Sequence, residues 1–117
     1  MPQKIRLEPP EQDLRPESKL LSASQAGEIA FAMRLAVTSG TGTAAGASSV
    51  AIAGKTGTAE LSNGPSHAWF IGYLPAGAPP ARRIAFAILV VNGGYGGRAA
   101  APFAPVLAGL VEELKLR

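Results

Sequence analysis

The sequence has no cysteine, one histidine (His67), one aspartate (Asp13) and one tryptophan (Trp69). Without cysteine there can be no disulfide and no thiolate metal site, and the compartment is left open. A Ser-His-Asp triad would have to draw Asp13 from the proline-rich start of the chain, and a metal would find one imidazole and scattered carboxylates. His67 therefore reads as a polar residue at a strand end, and no metal or organic cofactor is expected. The formal charge of +3 comes from dispersed basic residues, with only Arg82 and Arg83 adjacent. No basic stripe follows from that spacing, so nucleic acid is not an expected partner. The opening MPQKIRLEPPEQDLRPESK is polar throughout and lacks a basic segment followed by an apolar one, so it is expected to be neither a signal peptide nor a membrane segment.

A chain of 117 residues that is 47% hydrophobic can form one core, or part of one. Pro2, Pro9, Pro10 and Pro16 lie among charges and predict an irregular lead-in over residues 1–20, with the folded body over 21–117. Ser22 and Gln25 have the spacing of a helix capping box. Ile29, Met33 and Val37 follow on one helical face before Ser39-Gly40 stops it, which predicts a helix from about Ala23 to Thr38. The small residues of GTGTAAGASS make a loop, and three strand-like runs follow: VAIAGKTGTAE, AWFIGYL and RRIAFAILVV. Their connections, SNGPSH and PAGAPPA, are short and rich in turn residues, which favours an antiparallel meander. The last run is apolar at every position from Ile84 to Val91, so both of its faces should be covered. Phe103, Leu107, Leu110, Val111 and Leu114 predict one face of a final helix, with Lys115 and Arg117 suited to its C-terminal end. The expected class is α+β: a three-stranded antiparallel sheet with flanking N- and C-terminal helices.

Two glycine motifs invite a nucleotide reading. Gly54-Lys55-Thr56 ends like a P-loop, but Ser49 stands where its first glycine belongs, and the chain continues as a strand where a helix is needed. Gly94-Tyr95-Gly96-Gly97-Arg98-Ala99 fits a relaxed dinucleotide fingerprint, yet no strand-helix-strand unit with a distal acid follows, and a turn into a helix accounts for it.

What remains for Lys55-Thr56-Gly57 is the Lys-Thr-Gly motif of penicillin-reactive serine acyltransferases. The setting extends the match: AGKTGTAE, HAWFIGYLP, IAFAILVVNGGYGG and an AAPF helix start occur in one order, from about Ser24 to the end. The chain thus resembles the C-terminal portion of a class B penicillin-binding transpeptidase domain, within the penicillin-binding transpeptidase/β-lactamase-like fold. The Gly40-Thr41-Gly42 loop also resembles that family, and the HAWFIGY strand favours transpeptidases over class A β-lactamases. The resemblance implies that Lys55, Thr56, Gly57 and Thr58 bind a peptidoglycan stem peptide or a β-lactam. Lys55 would supply charge and proton relay, Thr56 and Thr58 hydroxyl donors on one strand face, Gly57 room for a ligand backbone, and the Thr58 amide an oxyanion donor. It also implies a Ser-x-x-Lys nucleophile and a Ser-x-Asn relay, and neither occurs here. The residues three before Lys4, Lys19, Lys55 and Lys115 are Met1, Pro16, Ile52 and Glu112, and Ser62-Asn63 are adjacent. The chain is therefore expected to be inactive alone, with the N-terminal part of such a domain as a partner. The alternatives are a non-catalytic interaction module and a complementing half of a split transpeptidase. Relatives of this kind work at the extracytoplasmic face of the cell membrane.

Overall fold

The computed structural model describes residues 18–115. The lead-in expected over residues 1–20 and the terminal Arg117 thus lie wholly or mostly outside the described residues.

Helix α1 (Ala23–Ser39) starts where the capping box predicts. The Gln25 amide donates to Ser22 Oγ at 3.1 Å, and the Ser22 amide donates to Gln25 Oε1 at 2.9 Å. Two orphan amides of the first turn are thereby satisfied. At its other end Gly40 folds back so closely that a Cβ there would lie 2.9 Å from Ala36 Cα, which excludes any larger residue. A short 3₁₀ turn, Thr43–Ala47, leads to the sheet.

Strands β1 (Ala53–Leu61), β2 (Gly64–Leu74) and β3 (Ile84–Val90) form an antiparallel meander in the order β1-β2-β3. The β1–β2 connection is tighter than the sequence implied, because Leu61 pairs with Gly64 and only Ser62 and Asn63 turn the chain. Helix α2 (Gly96–Ala99) and helix α3 (Phe103–Glu113) complete the fold.

Register decides which residues form the core. Thr56 pairs with Phe70 and Phe70 with Ile88, so Gly54, Thr56, Ala68, Phe70, Leu74, Phe86 and Ile88 share one side of the sheet. On that side Phe70 and Leu74 pack with Val37 of α1, Ala45 of the 3₁₀ turn, and Ala104, Ala108 and Val111 of α3. Both long helices therefore contribute to the same side of the sheet. The other side carries Lys55, Trp69, Ile71, Tyr73 and Leu89, with Ile71 47% and Leu89 44% exposed.

Two expectations change as a result. In β3, Ile84, Phe86, Ile88 and Val90 are half-buried, whereas Ala85, Ala87 and Leu89 are exposed. One face of this strand is covered rather than both, and two alanines limit the apolar surface left open. In α3 Val111 is buried and Leu107 and Leu110 are half-buried as predicted, but Ala104 and Ala108 are buried beside them, whereas Phe103 and, just past the helix, Leu114 are 50% and 54% exposed. At Ala104 and Ala108 small side chains let the helix approach the sheet closely.

Candidate functional site

β1 is an edge strand: it pairs with β2 along one side and with nothing on the other among the described residues. The carbonyls of Gly57 and Trp69 lie together beneath Gly96, as two residues that exchange ladder hydrogen bonds would place them. Antiparallel alternation then turns the amide groups of Thr56 and Thr58 towards the free edge. Lys55 Nζ agrees with this placement, since it donates to Thr56 O at 2.7 Å. The ammonium thus sits beside an outward-facing carbonyl, and no carboxylate pairs with it among the described residues.

The four residues singled out in the sequence are adjacent along this edge but differ in setting. Thr56 is 8% exposed, and its Oγ1 lies 2.6 Å from Thr41 Oγ1. Thr58 is exposed, and its Oγ1 accepts the Gly96 amide at 3.1 Å. Thr56 and Thr58 share one face, as expected, and both hydroxyls are already engaged. The inventory still leaves donors. Two hydroxyls joined by one hydrogen bond keep one free proton between them, and a hydroxyl that accepts an amide keeps its own. The edge therefore offers one O–H from the Thr41–Thr56 pair, one from Thr58, an ammonium and outward-facing amides. That set matches an extended peptide ending in a carboxylate.

Sequence reasoning did not assign Thr41 or Gly96 to this site. Each is brought to β1 by the fold, across separations of 15 and 38 residues. The Gly96-Gly97 pair carried the one available signal of close approach. A Cβ on Gly97 would lie 2.7 Å from Thr41 O, so the loop after α1, the start of α2 and β1 meet at one point. His67, read as a strand-end residue, lies within β2, and its Nδ1 accepts the Asn92 amide at 2.9 Å.

Thr41 gives a direct test of this junction. Thr41→Val should leave the buried Thr56 hydroxyl without its partner and lower the unfolding free energy by about 1–3 kcal/mol, whereas Thr41→Ser should restore most of it. Denaturant unfolding monitored through Trp69 fluorescence would measure both, and equal losses for Val and Ser would refute the pairing.

The family model described as "Penicillin binding protein transpeptidase domain" matches residues 6–108, and the chain belongs to that family. Among solved structures it is similar to the D,D-transpeptidase domain of a peptidoglycan glycosyltransferase from Eggerthella lenta, at 37% identity and a TM-score of 0.66. That match covers 83% of this chain and 22% of the other. The transpeptidase domain of FtsI4 from Legionella pneumophila is 34% identical over 76% of this chain and 35% of its own, with a TM-score of 0.63. Penicillin-binding protein A from M. tuberculosis, solved as an imipenem acyl-enzyme, is 35% identical over 78% of this chain and 20% of its own, with a TM-score of 0.60. The chain thus spans between a fifth and about a third of the length of these relatives. No curated protein matches it. No helix among the described residues is long and apolar enough to cross a membrane.

Proposed function

We propose that this chain is the substrate-binding portion of a peptidoglycan D,D-transpeptidase, and that it binds the D-alanyl-D-alanine end of a stem peptide, or a β-lactam mimicking it, along the free edge of β1. The observation that carries this reading is the coincidence of Lys55, Thr56, Gly57 and Thr58 with an unpaired strand edge. The peptide pairs main chain to main chain with that edge. Lys55 and the free hydroxyl protons of Thr58 and the Thr41–Thr56 pair take its carboxylate, and the Thr58 amide faces the scissile carbonyl oxygen. Gly57 leaves the space above the strand open, since a Cβ there would meet only Trp69 Cβ, at 3.4 Å.

Acyl transfer needs a nucleophile and its base, and the 117 residues hold no Ser-x-x-Lys. The chain alone therefore binds and does not acylate, and its chemistry requires the Ser-x-x-Lys and Ser-x-Asn elements from elsewhere. Such a complex would act at the extracytoplasmic face of the membrane.

A second reading, a non-catalytic interaction module, is favoured by an apolar groove of about 400 Å³ beside the free edge of β3, lined by Leu89, Phe103, Val106 and Leu110 among others. The two readings separate experimentally. Titration of an N-acylated D-Ala-D-Ala peptide should shift the backbone amide resonances of Thr56 and Thr58. Lys55→Ala should weaken that binding by about 1.5–3 kcal/mol, the usual worth of a hydrogen bond to a charged group. Intact mass after incubation with penicillin should show no adduct. Unmoved amides would sink the substrate-binding reading, and a covalent adduct would show that the chain carries a nucleophile of its own.

A further inference from the structure

A second cleft shares no lining residue with the Thr41 junction. α1 contributes Ala30, Phe31 and Arg34; the residue before Ile52 contributes Ala51; the end of β2 contributes Tyr73; and the β2–β3 connection contributes Arg83. The space they enclose is about 350 Å³. Its unusual feature is two guanidinium groups with no acid. The described residues hold four carboxylates, Glu28, Glu60, Glu112 and Glu113, and none of them lines the cleft.

Both arginines are held in place by uncharged groups. Arg34 is half-buried, and its Nη1 donates to Ile52 O at 2.6 Å. Arg83 is also half-buried; its Nε donates to Ala78 O at 2.8 Å, and its guanidinium carbon lies 5.0 Å from the centre of the Tyr73 ring. A guanidinium has five N–H donors. One is spent on each carbonyl, so each arginine keeps four, and no carboxylate among the described residues neutralises either charge. Solvated arginines lose little by having no counter-charge. Arg83 lies against the Tyr73 ring, and a low-dielectric wall of that kind strengthens attraction to an anion. Side chains already fixed lose less freedom on binding than free ones.

We propose that this cleft is a binding site for an oxyanion group, a carboxylate or a phosphate, gripped between the forks of Arg34 and Arg83 with Tyr73 and Phe31 beside it. Planar forks of N–H donors suit those groups, which accept two parallel hydrogen bonds. The site stands apart from the Lys-Thr-Gly edge and holds whether or not that edge binds a stem peptide. It adjoins the strand all the same: the carbonyl that anchors Arg34 belongs to Ile52, immediately before β1, so an occupied cleft steadies the point where β1 begins.

The test is a titration of the 117-residue chain with inorganic phosphate at constant ionic strength, read by the side-chain Nε–H resonances of its arginines. Arg34 and Arg83 should shift together and saturate, while Arg82 and Arg98, which do not line the cleft, stay in place. Arg83→Gln should weaken the response of Arg34 at least tenfold, Arg34→Lys should weaken that of Arg83, and Arg82→Gln should change neither. Acetate run in parallel distinguishes the sources: tighter saturation by acetate identifies a carboxylate ligand, tighter saturation by phosphate a phosphorylated one. Parallel, unsaturated drift of all four arginines, or an unchanged Arg34 response in Arg83→Gln, would overturn the proposal.

Discussion

Phe70→Ala is expected to cost about 3–5 kcal/mol, the range for emptying a fully buried aromatic site. Phe70 has no exposed surface, stacks on Phe86 at 5.9 Å between ring centroids, and is a member of the cluster that α1, the sheet and α3 share. Its ring also meets the close approaches of the fold. A Cβ on Gly54 would fall 2.7 Å from Phe70 Cε1, and one on Gly42 would fall 3.3 Å from Phe70 Cε2. Neither glycine has a side chain to swing into the vacated volume, so the cavity should persist. Domains of this size hold roughly 5–15 kcal/mol in all. A chain whose sheet is covered mainly on one side belongs near the bottom of that range, so the variant should lose its cooperative thermal transition. Circular dichroism against temperature would show this, and a variant that melts within a few degrees of the parent would mean that the core is organised around some other residue.

Gly96→Val should be strongly damaging near the candidate site. A Cβ at this position would overlap Gly57 O and come within 2.8 Å of Trp69 O, and backbone carbonyls fixed in a sheet cannot step aside. Overpacking of this kind costs about 1–3 kcal/mol. It also lifts the start of α2 off the strand and breaks the bond from the Gly96 amide to Thr58 Oγ1. The expected result is a destabilised protein in which the Thr58 amide no longer responds to an acyl-D-Ala-D-Ala peptide. Gly77→Ala is the control, since a Cβ there meets nothing within 4 Å and should leave both readouts unchanged. A Gly96→Val chain that still binds the peptide would show that Thr58 does not depend on α2.

Local chemistry was legible in the sequence wherever a short-range rule governed it. The Ser22–Gln25 cap, the end of α1 at Gly40 and the meander of three strands all follow from neighbours within a few residues. So does the placement of Lys55 to Thr58 on a strand, which removes the P-loop reading because β1 continues where a helix would have to begin. Periodicity of the large apolar residues missed the small ones: α3 turns Ala104 and Ala108 inward beside Val111. It also could not say that both helices would pack on one side, since apolar strands do not record which of their faces a helix will reach. The partnerships of Thr41 with Thr56 and of Gly96 with Thr58 were illegible for a different reason. Each joins residues that no pattern of spacing relates, and only the closed fold brings them to one edge.

The open margin of β1 has a consequence for the protein in solution. Main-chain hydrogen bonding at an edge is blind to sequence, so an edge that would accept a stem peptide can also accept a strand from a second copy, and β3, paired only with β2 among the described residues, offers another such edge on the opposite side. Selectivity would then have to come from the groups standing next to the edge, above all the Lys55 ammonium, which would reward a terminal carboxylate that a continuous strand does not possess. Concentrated samples should therefore tend to associate edge to edge, and a peptide ending in a free carboxylate should disperse them while its amidated counterpart does not.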